Sequence, residues 1–187
     1  MMKTKKLICG LVVPLIALVS SMVFGQPKGG LLPCDLFTKA EAEALFKVAV
    51  SEGQTEKTSM PAGMSCQYSF RKKGATYGVT LKVSTLEAIK QEGIYDSPKD
   101  YFSRQKRARL ASDMTAKKLK MIPGLGDDAF WNGFALSIIK GHYCINIVVN
   151  SFLRGSFQNS GALEKARYDQ DLALAQKVAE KVLPRIK

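Results

Sequence analysis

From Cys66 to Ser84 apolar and polar residues alternate: Cys66, Tyr68 and Phe70 against Gln67, Ser69 and Arg71, then Tyr77, Val79, Leu81 and Val83 against Gly78, Thr80, Lys82 and Ser84. Successive side chains of a strand point to opposite faces, so a period of two on both sides of "KKGA" predicts a β-hairpin with one face buried. After Gly126 three further runs rich in β-branched and aromatic residues follow, "DAFW", "FALSII" and "HYCINIVVN", separated by Asn132-Gly133 and Lys140-Gly141. Asn-Gly between such runs is a strong hairpin signal, with both central residues expected at positive φ. The runs predict a three-stranded antiparallel meander. Phe134, Leu136 and Ile138 should share a face of its middle strand, and Tyr143, Ile145, Ile147 and Val149 a face of its last.

Elsewhere the period lengthens to that of helices. In "DLFTKAEAEALFKVAV" Thr38 and Glu41 form a capping-box pair, and Leu45, Phe46 and Ala49 recur at helical spacing. The polar segment from Glu52 to Gly63 reads as a loop. "STLEAIKQEG" predicts a short helix capped by Ser84 and Glu87, and Ser97, Pro98 and Asp100 mark the start of another, whose thin apolar stripe suits a surface helix. An extended "TAKKLKMI" follows. From Ala162 onwards Leu172, Ala175, Ala179, Val182 and Ile186 recur every three or four residues, the pattern of a closing helix laid across the sheet. Together these elements define an α+β fold: a single antiparallel sheet of about five strands, a hairpin plus a meander, covered by N-terminal and C-terminal helices.

The first 30 residues have a different character. Lys3, Lys5 and Lys6 precede an apolar run from Leu7 to Phe24, and small and polar residues follow, the three-part pattern of a secretory signal peptide. Cleavage after Gly25 would divide the chain into a leader at 1–25, a flexible segment at 26–33 and one α+β domain at 34–187. The alternative is an uncleaved leader, since its apolar run is at the lower limit for crossing a bilayer of roughly 30 Å. Localisation is thus expected to be secreted or periplasmic, with membrane contact only if the leader is retained.

Charge sharpens the picture of partners. Removing Lys3, Lys5 and Lys6 takes the 28 Lys and Arg to 25 against 16 Asp and Glu, a net +9. Eight of those cations fall between Lys99 and Lys120, against Asp100 and Asp113. The cations Arg104, Lys106, Arg107 and Lys118 are therefore candidates for anion binding, the partner being an envelope lipid, an acidic glycan or an acidic protein rather than nucleic acid. A solvated basic face is the competing explanation.

Three cysteines follow the leader, and export places them where disulfides persist. Cys34 lies just before a helix and Cys66 begins a strand, which suits a bridge between them. Cys144, inside an apolar strand, is left as a buried thiol. "GLGDDA" at 124–129 matches the G-x-G-x-x-A form of a dinucleotide fingerprint, but a strand follows it where the fingerprint needs a helix. Asp127 and Asp128 lack the further oxygens a hard cation requires. The stretch reads as a structural turn, in which Pro123 fixes φ, Gly124 and Gly126 permit tight bending, and Asp127 and Asp128 bond turn backbone. His142 and Cys144, two apart on one strand, form a candidate thiol–base pair without an oxyanion site. No catalytic residue, metal or cofactor is assigned.

With these residues in place, a resemblance can be stated. "PCDLFTKAEAEALF", "CQYSF", "IPGLGDDAFW" and the closing "LAQKVAEKVLPRI" resemble, in order and spacing, a family of secreted bacterial proteins of unknown function, many of them actinobacterial lipoproteins. The resemblance spans most of residues 33–186. It implies an α+β domain akin to the PsbP-like sandwich and a bridge at Cys34 and Cys66, and it implies no catalytic residues. The chain departs from the lipoprotein pattern in lacking a lipobox cysteine. The expected function is a monomeric, non-catalytic binding or accessory module of the cell envelope. The alternatives are a carrier of a small apolar ligand and a thiol-dependent enzyme.

Overall fold

The computed structural model describes residues 31–187, and the expected leader and residues 26–30 of the flexible segment lie outside them. The hairpin alternation produces its two strands, β2 (Gly63–Lys72) and β3 (Ala75–Thr85), with Cys66 opposite Leu81, Tyr68 opposite Val79 and Phe70 opposite Tyr77. The meander follows as β5 (Asp128–Trp131), β6 (Ala135–Lys140) and β7 (Tyr143–Asn150), and β7 docks antiparallel beside β3. Two more strands lie at the edges, β1 (Gln54–Thr58) beside β2 and β4 (Lys120–Met121) beside β5. The sheet therefore has seven antiparallel strands in the order β1-β2-β3-β7-β6-β5-β4, not about five.

The two additions have a common physical origin. Gln54–Thr58 lies in the segment expected to be a loop, and four of its five residues are exposed. Backbone hydrogen bonding to β2 holds it, so it carries no apolar alternation to read, and its charges suit an unpaired edge. Lys120–Met121 is exposed for the same reason and only two residues long.

Helices cover both faces of the sheet. One face bears Tyr68, Val79, Leu81, Val83, Leu136, Ile138, Ile145, Ile147 and Trp131. It packs under α1 (Pro33–Leu36), α2 (Lys39–Phe46), α6 (Ser160–Val182) and a closing 3-10 turn, Leu183–Arg185. α6 contributes Leu172, Ala175, Val178, Ala179 and Val182, as its spacing predicts, and Ile186 is buried just beyond the 3-10 turn. The other face carries α4 (Pro98–Leu110), which α3 (Leu86–Glu92) precedes and the short α5 (Asp113–Ala116) follows. There Tyr101 and Phe102 of α4 close over Phe130, Ile139 and Cys144 in a second, smaller core. α4 is thus a covering helix with a narrow buried face rather than a purely surface one.

Local details follow the sequence in part. The capping box at α2 forms: Glu41 N–H donates to Thr38 Oγ1 at 3.3 Å, and Thr38 N–H to Glu41 Oε2 at 2.9 Å. The helix stops at Lys47, whose left-handed conformation (φ 56°) leaves Ala49 outside it and exposed. The cap of α3 is Thr85, which accepts from Ala88 N–H at 3.2 Å; Ser84 belongs to β3 and its hydroxyl is buried without a partner. In the β5–β6 turn only Gly133 takes positive φ (90°), while Asn132 Oδ1 accepts from Phe134 and Ala135 N–H at 2.9 and 2.8 Å. That turn leaves Phe134 outside β6 and 69% exposed, so Leu136 and Ile138 alone carry the expected face.

Leu31–Lys187 forms one compact unit, into which Leu31 already packs and in which Pro33 opens α1. The Cys34–Cys66 disulfide is present, with Cα atoms 5.2 Å apart, and ties α1 to β2. Among the described residues no helix is long and apolar enough to cross a membrane.

Candidate functional site

The four cations singled out between Lys99 and Lys120 do not act as one open patch. Arg104 Nε lies 2.9 Å from Asp100 Oδ1 one turn earlier on α4, and its guanidinium stacks 5.5 Å from the Tyr95 ring. Lys106 reaches Asp128 at 3.7 Å, and Lys118 reaches Glu164 of α6 at 2.7 Å. Arg107 is exposed and makes no ion pair among the described residues. Three of the four charges are thus partly neutralised by internal carboxylates, which weakens the segment as an anion site.

His142 stands exposed in the β6–β7 turn and not on β7, so it does not share the strand face of Cys144 as the spacing implied. Cys144 is wholly buried and free. Burial pushes its thiol up to about 12, with Asn146 Nδ2 at 3.6 Å and Lys82 opposing only in part. A thiolate is the nucleophilic form, so this thiol is not poised for attack.

The "GLGDDA" stretch is a turn with separate tasks for its aspartates. Gly126 (φ 62°) passes so close to β6 that a Cβ there would lie 2.3 Å from Ile139 O. Asp127 N–H donates to that same carbonyl at 2.7 Å, and its carboxylate accepts Gly141 N–H at 2.7 Å, joining this turn to the β6–β7 turn. Asp128 faces Lys106 instead. Among the described residues no group of three or more His, Cys, Asp or Glu side chains is placed to hold a metal ion.

A different arrangement lies where three distant segments meet near the tip of the β2–β3 hairpin. The cross-strand pair Phe70 and Tyr77 has its rings 5.7 Å apart. Phe46, in the last turn of α2, adds a ring 5.2 Å from Phe70, and Phe152, just after β7, adds one 5.4 Å from Tyr77. The result is a continuous row of four half-buried rings. Lys72 Nζ sits 4.5 Å and Lys73 Nζ 5.7 Å from the Phe152 ring centre, both within cation–π range.

Each segment is fixed locally. The left-handed cap at Lys47 turns the chain away from α2. Lys73 and Gly74, both at positive φ, close the hairpin tip and gather Lys72 and Lys73 there. Ser151 is clamped by buried Asp171, whose Oδ1 accepts from Ser151 N–H at 3.0 Å and from its hydroxyl at 2.5 Å, while Gln170 Nε2 donates to Ser151 Oγ at 2.7 Å. Burial raises the Asp171 carboxyl above its ordinary value, and the Ser151 bonds oppose that shift. This clamp sets the position of Phe152.

The segments enclose a cleft of about 450 Å³. Leu45, Phe46, Val48, Phe70, Phe152 and Leu174 give it apolar walls, and Lys47, Lys72 and Arg154 stand around it. Among the described residues no carboxylate lines it. Neighbouring clefts mix the two signs: one of about 480 Å³ beside Gly133 and Phe134 is lined by Lys118 and Arg167 together with Glu164 and Asp171, and one of about 570 Å³ between α2 and α6 by Glu41 and Glu180 together with Lys47, Lys177 and Lys181. The cleft is suited to non-covalent capture of something negatively charged and partly apolar.

Sequence reasoning did not find Lys47, Lys72, Arg154 or the ring row. The hairpin register does place Phe70 opposite Tyr77, and "RKKG" marks a basic tip. The contributions of Phe46 and Phe152 come from segments 24 and 82 residues away from Phe70, which no local pattern connects. No protein-family model matches the chain, and neither does any curated protein or solved structure.

Proposed function

We propose that this domain is a non-catalytic binding or accessory module of the bacterial cell envelope, exported by its leader, whose partner is anionic and is engaged at the aromatic and cationic cleft. The observation that carries this reading is the set of cations around the cleft, Lys47, Lys72, Lys73 and Arg154, none of which has a carboxylate partner among the described residues. Cations left unopposed beside a concave, partly apolar surface attract anions more effectively than cations already paired on a helix. Export is supported by the leader pattern and by the Cys34–Cys66 bridge, since disulfides persist in oxidising compartments. The likeness to secreted bacterial proteins of unknown function agrees with that placement and adds no substrate. A second reading, carriage of a small apolar ligand, is favoured by the walls of the same cleft.

The test compares two charge-matched variants on a dextran sulfate column, with neutral dextran as the control. Lys47→Glu/Lys72→Glu/Arg154→Glu should elute at much lower salt than Arg104→Glu/Arg107→Glu/Lys118→Glu, although both change the net charge by the same amount. Equal elution would mean that overall charge alone drives retention. Earlier elution of the Arg104, Arg107 and Lys118 variant would return the anion site to the Lys99–Lys120 segment.

A further inference from the structure

The reading of the cleft as an anion site can be carried one step further, and the step rests on that reading. We propose that the cleft takes an amphipathic anion, a carboxylate or phosphate head on an apolar chain, with the chain against Leu45, Phe70 and Leu174 and the head at Lys72 and Arg154.

Three features converge on this ligand chemistry. The first is segregation: apolar side chains form the walls while Lys47, Lys72 and Arg154 supply the charge, so a ligand that satisfies both must itself be amphipathic. The second is the ring row, whose four members stay half-buried although rings of this size would normally finish inside a core. The third is the position of the Lys72 and Lys73 ammonium groups over the Phe152 ring. A lysine held against a ring face is partly stripped of water on that side and offers its remaining donors to an acceptor.

The division of binding energy follows from the same geometry. Exposed lysine and arginine give an isolated anion little affinity, because water and salt screen them. The apolar portion must therefore dominate. Each methylene that enters the walls should tighten binding about fourfold, the equivalent of roughly 0.8 kcal/mol. A volume of about 450 Å³ lies within the range of small-molecule sites, so the gain should level off once the chain fills it.

The experiment is isothermal calorimetry on the described domain with hexyl, octyl, decyl and dodecyl phosphate below their micelle concentrations, and with inorganic phosphate. Cosedimentation with vesicles of phosphatidylglycerol in phosphatidylcholine runs alongside. A dissociation constant falling about fourfold per methylene, weakened at least tenfold in Lys72→Glu/Arg154→Glu and in Phe152→Ala, is the expected result. Preserved fluorescence of buried Trp131 and a cooperative unfolding transition with its midpoint well above the assay conditions would show that both variants fold. Vesicle binding without binding of monomeric alkyl phosphates would place the amphiphile in a bilayer, whereas binding of the monomers without the vesicles would make it a free ligand. Equal affinity for inorganic and dodecyl phosphate would overturn the amphiphile while leaving an anion site. Variants that bind as the parent does would overturn the cleft altogether.

Discussion

The bond between Glu41 and Arg185 provides a sharp test of how the two ends of the domain are joined. Arg185 follows α6 and presents Nη2 to Glu41 Oε1 at 2.7 Å and Nη1 to Oε2 at 2.8 Å, a two-point contact. Glu41 also serves the α2 cap through Thr38. The Arg185 guanidinium, followed by the cap bonds, lowers the Glu41 carboxyl from 4.5 to about 2 against the opposing effect of burial. Taken at face value, a shift of that size corresponds to about 3 kcal/mol. The Arg185 side chain is 40% exposed and that of Glu41 21%, so solvent screening reduces the contribution to about 1–2 kcal/mol. The sign is that of a depressed acid: the stabilisation is complete above 4.5 and is lost as pH falls toward 2. Glu41→Gln keeps the shape and an acceptor for Thr38 N–H while removing the charge. Urea denaturation at pH 7 should show the variant about 1–2 kcal/mol less stable, and most of the difference should be gone at pH 2, where Glu41 is about half protonated in the folded state. A gap that stays constant over that range would refute the electrostatic account and leave only a packing effect.

Three further outcomes can be checked with the same protein. Replacing Cys34 and Cys66 by alanine opens a loop with a sequence separation of 32 residues, for an expected loss of about 3–4 kcal/mol in denaturant unfolding; a loss below 1 kcal/mol would mean that the unfolded chain is already constrained there. Gly126→Ala combines a positive φ with a Cβ 2.3 Å from Ile139 O and should cost about 1–3 kcal/mol, read as a lowered Tm, and an unchanged Tm would show that the turn shifts freely. With its thiol raised to about 12, Cys144 should carry a thiolate fraction on the order of 10⁻⁴ at pH 8. Iodoacetamide should therefore modify the folded protein only as it unfolds, and rapid pH-dependent alkylation of the native state would instead revive the enzyme alternative.

The elements that were legible in the sequence are those in which one side of a periodic segment faces a core. Val79, Leu81 and Val83 of β3, Ile145, Ile147 and Val149 of β7, and Leu172, Ala175 and Ala179 of α6 all report burial through spacing, and all are buried. Edge strands carry no such message. Gln54–Thr58 is held by its backbone, which every residue has, and its side chains follow the solvent they face. The covering role of α4 was hidden for a related reason: a helix that buries only Pro98, Tyr101 and Phe102 leaves most of its circumference polar. Small shifts at boundaries, Thr85 capping in place of Ser84 and Phe134 left outside β6, come from turns whose hydrogen bonds are settled by the neighbouring strands.

The candidate site was less legible than the fold because its two ingredients obey opposite rules of visibility. Charge density along the chain drew attention to Lys99–Lys120, yet the fold brings carboxylates to that segment, and Asp100, Asp128 and Glu164 take up three of the four. What distinguishes an anion site is charge without a partner, a property of space rather than of the chain. Lys47, Lys72 and Arg154 are scattered over more than a hundred residues and meet only because α2 ends beside the hairpin tip and β7 runs out next to both. The Asp171–Ser151 clamp completes the geometry from α6. A folded core can be inferred from a pattern repeated within one segment. A cleft assembled from the ends of three elements requires the sheet order first, and that order rests on the crossover that brings β7 beside β3.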